Sequence, residues 1–91
     1  MIEVKQTQTE DPLQFSVTIT DGDGVSQHQV TMSQVTYESL TAGEWTPVEC
    51  VRAAFRFLLD REPKESILST FDITVISRYF PSFEHDFDGY L

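Results

Sequence analysis

Few residues in this chain are of a type that does chemistry, and few of those are spaced to do it together. Cys50 is the only cysteine. With His28 or His85 it would supply the nucleophile and base of a covalent mechanism. It falls in the first turn of a helix expected from Pro47, where the helix dipole favours a thiolate. It also falls on an apolar side of that helix, and a buried free cysteine behaves as a small hydrophobe. The packing role is the expected one.

Asp21-Gly22-Asp23-Gly24 invites a calcium reading. A calcium loop starting at Asp21 needs a glycine at its sixth position and a glutamate at its twelfth. Those positions hold Ser26 and Met32, and the segment before them is strand-like. The run is therefore read as a hairpin turn. His28 shares a strand face with Val30 and Met32 and is expected to be partly buried or at an edge with a local hydrogen bond. His85 sits among acids without a ligand set of recognisable spacing. Arg52 and Arg56, one helical turn apart, could grip an anion, but Glu49 and Asp60 stand at ion-pair spacing beside them. There is no glycine-rich phosphate loop, no serine elbow and no HExxH motif. No catalytic, cofactor-binding or metal-ligating residue is assigned, and no cofactor is implied.

The elements that must position these residues read as an α+β fold. An N-terminal antiparallel three-stranded meander is followed by three to four helices packed on one face, with helix 47–61 central. Ile2 and Val4 alternate with Glu3 and Lys5 in a short edge strand, and Gln6 to Pro12 reads as a loop. Leu13, Phe15, Val17 and Ile19 alternate with polar residues, the period of a half-buried strand. The return strand runs from about Val25 to Met32. Ser33 caps a short helix to about Thr41, with Val35, Tyr37 and Leu40 apolar, closed by Ala42-Gly43. Thr46-Pro47-Val48-Glu49 carries a capping threonine, a first-turn proline and a glutamate three residues on. Trp45 is expected to staple against that helix's first turn, with an exposed contact residue as the alternative.

At 100° per residue, Glu49, Arg52, Arg56 and Asp60 form one narrow stripe on this helix. Val48, Val51, Phe55, Leu58 and Leu59 fill one apolar side, and Cys50, Ala53, Ala54 and Phe57 fill much of the rest. A surface helix has one apolar stripe. This helix should be packed on two sides, between the sheet and the C-terminal segments. Lys64–Thr70 reads as one or two helical turns. Asp72–Phe80 reads as a helix from its cap and the spacing of Ile73, Ile76 and Phe80, with a strand at Ile73–Ile76 as the alternative from β propensity.

The stretch from Thr46 to Phe83 resembles small uncharacterised bacterial proteins of the kind solved in structural-genomics work. The residues that carry the likeness are Val51-Arg52-Ala53-Ala54-Phe55-Arg56-Phe57-Leu58-Leu59, Arg61-Glu62-Pro63 and Tyr79-Phe80-Pro81, mostly packing residues. The resemblance implies no activity.

The 91 residues make one domain, residues 1–91. The formal net charge is -9. Residues 1–50 hold eight acids against Lys5, and residues 51–91 hold seven acids against five bases. Such a surface repels phosphate backbones and anionic lipid, which speaks against nucleic acid and membrane as partners and for a basic protein surface. A lone cysteine fits a reducing compartment, and Met1-Ile2-Glu3-Val4 carries no basic segment before an apolar run, so a cytoplasmic protein is expected. Phe83, Phe87 and Tyr90 recur at helical spacing in an acidic tail. They either fold back onto the domain, the preferred reading for a chain this small, or contact a partner. The expected function is a small acidic protein-interaction or regulatory module without catalysis. A small-ligand-binding domain, as monomer or homodimer, and an enzyme of unrecognised class are the alternatives.

Overall fold

The computed structural model describes all of residues 1–91. Strands β1 (Ile2–Gln8), β2 (Leu13–Asp21) and β3 (Gly24–Met32) form the antiparallel meander. A short fourth strand, β4 (Thr70–Asp72), adds to β3 in parallel, giving the order β1-β2-β3-β4. Leu13, Phe15, Val17 and Ile19 of β2 and His28, Val30 and Met32 of β3 all point into the core, as period-two alternation requires. The β2–β3 turn is tight, with Asp21 opposite Gly24. The Asp21 carboxylate accepts the Asp23 N–H at 2.8 Å, and Gly24 takes φ 125°, open chiefly to glycine.

The first strand runs further than its side chains suggest. Gln6 pairs with Phe15 and Gln8 with Gln14, with Thr7 as the extra residue of a bulge. The stretch expected as a loop from Gln6 is thus strand to Gln8. Backbone pairing with an apolar neighbour strand does not require apolar side chains on both partners.

Helix α1 (Gln34–Thr41) starts at Ser33, whose Oγ accepts the Thr36 N–H at 3.1 Å. It ends with Ala42 left-handed at φ 54°. Val35 does not share its apolar face: it is exposed, while Tyr37 and Leu40 pack against the core. Helix α2 (Pro47–Leu59) opens with the full reciprocal cap, Glu49 N–H to Thr46 Oγ1 at 3.1 Å and Thr46 N–H to Glu49 Oε1 at 2.9 Å. It closes two residues earlier than expected, as the Arg61 N–H turns back to the Leu58 carbonyl at 2.9 Å.

Both sides of α2 are buried. Phe55 faces the sheet, its ring 5.5 Å from His28 and 5.9 Å from Phe71. Phe57 faces away, edge-on to Phe83 at 4.9 Å, Tyr90 at 5.8 Å and Phe80 at 5.9 Å. Val51, Ala53, Ala54 and Leu58 are buried between. Cys50, assigned from the helical wheel to the side of Phe57, meets the sheet instead, its sulfur 3.7 Å from Met32 Sδ.

Beyond α2, Lys64–Ser66 forms a single 3₁₀ turn. The fourth strand lies at Thr70–Asp72, not at Ile73–Ile76, and the latter enters helix α3 (Thr74–Tyr79). Asp72 joins the two. Burial opposes its ionisation, but hydrogen bonds from Thr31 Oγ1 (2.5 Å), Thr74 Oγ1 (2.7 Å) and the Thr74 N–H (3.1 Å) outweigh that and hold its carboxyl below the usual range. Helix α4 (Phe83–Asp86) and a 3₁₀ turn (Phe87–Tyr90) fold the tail back over α2.

Candidate interaction surface

The groups that could carry covalent or metal chemistry are tied up in packing. Cys50 is fully buried, and desolvation pushes its thiol up to about 12. A thiol there is protonated at neutral pH and out of reach of a substrate. Asp21 gives its carboxylate to the Lys64 ammonium and to the Asp23 N–H. His85 projects into solvent with Nδ1 3.0 Å from Asp86, and no three His, Cys, Asp and Glu side chains converge on a point where a metal could sit.

His28 is buried with both ring nitrogens engaged. Nδ1 lies 2.7 Å from the Leu68 carbonyl and Nε2 lies 2.9 Å from Ser26 Oγ. A carbonyl only accepts, so Nδ1 donates to it, while Ser26 Oγ engages the other ring nitrogen. This has the connectivity of a serine–histidine pair held by a third group. Neither Ser26 nor His28 lines any surface depression. The contact links β3 to the segment leading into β4, a structural task.

Lys64 went unnoticed in the sequence. It is buried, with Nζ 2.8 Å from Asp21 and in contact with Glu65. Hydrogen bonds first to Asp21 and then to Glu65 raise its pKa, and each carboxylate is lowered in turn. A nucleophilic lysine needs its pKa lowered. This one is held charged and clamps the β2–β3 turn to the 3₁₀ turn. No sequence signal distinguishes it, because its partner stands more than forty residues away.

The tail settles where its aromatics go. Phe83 is 1% exposed and Phe87 is 0% exposed. Both belong to the core, so the reading that offered them as partner contacts is corrected: the Phe57 side of α2 needs the cover. Tyr90 is half buried, and its hydroxyl donates to Asp60 at 2.7 Å and accepts from Arg61 at 3.1 Å. Arg61 also stacks on the Phe57 ring at 3.6 Å and reaches Asp86 at 3.3 Å, latching the tail to the end of α2. The expected ion pairs of Arg52 and Arg56 do not form. Glu49 caps the helix and Asp60 takes the Tyr90 hydroxyl.

Four depressions remain on the outside. A smaller one brings Arg52 and Arg56 beside Trp45, and the two largest differ in character. The first, about 510 Å³, lies between the end of α1 and the tail. Glu44, Glu84 and Asp88 line it beside Trp45, Leu40 and Leu91, with no basic residue in the lining. Trp45 is 38% exposed, lines the smaller depression with Glu49, Arg52 and Arg56 of α2, and its carbonyl accepts the Tyr37 hydroxyl. Glu84 and Asp88 are the outward positions of the tail whose inward positions are Phe83 and Phe87. The second, about 300 Å³, is an apolar groove between α2, β4 and α3. Eight of its ten lining residues are hydrophobic, with Leu68 47% and Tyr79 68% exposed at its rim. Tyr79 stands off the Ile73, Ile76, Phe80 stripe, so its exposure was legible.

The geometry defines an α+β domain with an acidic, tryptophan-edged hollow on one side and an apolar groove on another. No family model, no curated protein and no solved structure matches the chain. No helix is long and apolar enough to cross a membrane.

Proposed function

We propose that this chain is a small acidic protein-interaction module, acting without catalysis, whose partner presents a basic surface to the hollow around Trp45. The observation that carries the reading is the lining of that hollow: Glu44, Glu84 and Asp88 with no base among them, at the edge of an exposed indole. Carboxylates attract lysine and arginine side chains, and an indole face adds a cation–π contact. The net charge of -9 steers basic partners from a distance and repels nucleic acid. The free, buried Cys50 suits a reducing, cytoplasmic setting.

The test is capture from lysate of the source organism, read by mass spectrometry at low and high salt, against an acidic protein of matched charge. The doubly reversed bait Glu84→Lys/Asp88→Lys runs in parallel. Both side chains are exposed, so its stability should stay within about 0.5 kcal/mol of wild type. A basic partner held by the wild type, weakened by salt and lost by the reversed bait is the expected result. Binding of that partner should also change the fluorescence of Trp45, the only tryptophan. A wild-type capture list no different from the control's would sink the proposal. The apolar groove supports a second reading, a small apolar ligand, since its volume lies at the lower end for such sites. Saturable thermal stabilisation by one class of apolar compound, abolished by Leu68→Asp, would favour that reading.

A further inference from the structure

The outer edge of β1 has no partner within the chain. Met1 and Thr20 exchange both of their hydrogen bonds, N–H to carbonyl at 2.9 Å and terminal amine to carbonyl at 2.7 Å. Bonded pairs alternate along an antiparallel ladder. With Glu3 opposite Thr18 and Lys5 opposite Ser16, Met1, Glu3 and Lys5 direct their backbone groups toward β2. Ile2, Val4 and Gln6 direct theirs outward. No backbone bond from those three to any other element is formed. The bulge at Thr7 then interrupts the strand, so the regular free edge runs from Ile2 to Gln6 and is centred on Val4. A free edge of this kind is a template for another strand.

The charges on that edge are arranged symmetrically about the same residue. Glu3 and Lys5 flank Val4, both exposed on the face of the sheet away from the helices. Lys5 is the only base in the first fifty residues. We propose that two copies of this chain join edge to edge through β1, antiparallel, with Val4 opposite Val4 of the second copy, so that their sheets become continuous about a two-fold axis. In that register Ile2 bonds with Gln6 of the partner copy and Val4 with its own counterpart. Glu3 then stands opposite Lys5 on each side of the axis, in the non-bonded positions where side chains approach most closely. Sliding by two residues one way sets Glu3 against Glu3, and the other way sets Lys5 against Lys5. Sliding by one residue faces outward backbone groups with inward ones and turns the side chains to the wrong faces. One register alone satisfies both the backbone and the charges, and only a second copy is guaranteed to carry the complementary sequence. β4 lies at the opposite edge of each sheet, so the groove beside it stays open in the dimer.

Sedimentation equilibrium of the full chain over a range of concentrations tests this. The set is the wild type, Glu3→Lys, Lys5→Glu, the double exchange Glu3→Lys/Lys5→Glu, and an equimolar mixture of the two single variants. The substituted side chains are exposed, and circular dichroism confirms the fold of each. The wild type is expected to move from monomer to dimer mass across the micromolar range. Each single variant places like charges at both symmetric contacts and should weaken self-association by about tenfold or more. The double exchange should restore it. The mixture should form heterodimers, since one variant then carries two lysines and the other two glutamates. A wild type that stays monomeric, or a dimer indifferent to these exchanges, would overturn the proposal. Neither outcome touches the Trp45 hollow, which is tested by capture.

Discussion

Phe57→Asp is expected to leave the chain largely unfolded at room temperature, and Phe55→Asp to do the same. The two rings sit on opposite sides of α2, and neither is exposed. Phe55 packs toward His28 and Phe71, and Phe57 is enclosed by Phe80, Phe83 and Tyr90 with Arg61 over its face. Removing a buried phenylalanine side chain costs about 3–5 kcal/mol. The aspartate adds the desolvation of a carboxylate or of its protonated form. A domain of this size has only about 5–15 kcal/mol of stability in total. The pair is informative because an ordinary one-sided helix would tolerate a carboxylate on its outer side. Urea melts followed by circular dichroism should show both variants without a native baseline. A Phe57→Asp protein that melts like wild type would mean that the tail does not cover α2.

Native Cys50 should react with a thiol reagent at least about a thousandfold more slowly than the same thiol in denaturant. Two factors act together. Burial raises its pKa to about 12, so the reactive thiolate is scarce at neutral pH. The side chain is also fully enclosed, with Met32 beside it, so reagent must wait for an opening that is populated at roughly 10⁻³ to 10⁻⁶. Mass spectrometry of the alkylated chain over hours, with and without urea, gives both rates. Fast modification of the folded chain would return Cys50 to the list of functional nucleophiles.

The parts of the fold set by repeating patterns were legible in the sequence. Strict alternation from Leu13 to Ile19, the turn at Asp21–Gly24 and the cap at Thr46–Glu49 act locally, and each is found where its spacing puts it. The apolar circumference of α2 likewise announced two-sided packing. What escaped notice depends on distant partners. β4 is three residues long, too short to show a period, and exists because the edge of β3 is there to receive it. Lys64 looks like any surface lysine until the β2–β3 turn brings Asp21 to it. The polar residues Gln6 to Gln8 gave no strand pattern because the ladder holds them by backbone alone. At the candidate site, the aromatic spacing of the tail was visible but its direction was not. Phe83 and Phe87 point inward because α2 has an apolar side to cover, and this leaves Glu84 and Asp88, at the same helical interval, to face outward beside Trp45.

That division of the tail into a core face and an acidic outer face is the centre of the account, and deleting Ser82–Leu91 tests it most directly. The deletion exposes the far side of α2 and removes two fully buried phenylalanines, together worth roughly 3–6 kcal/mol. For a domain of this size each kcal/mol moves the melting temperature by about 4–8 °C. The account therefore expects the shortened chain to melt at least about 12 °C lower, or to show no cooperative transition. A shortened chain that melts within a few degrees of the full one would contradict it, and would return Phe83 and Phe87 to the role of a free segment available to a partner.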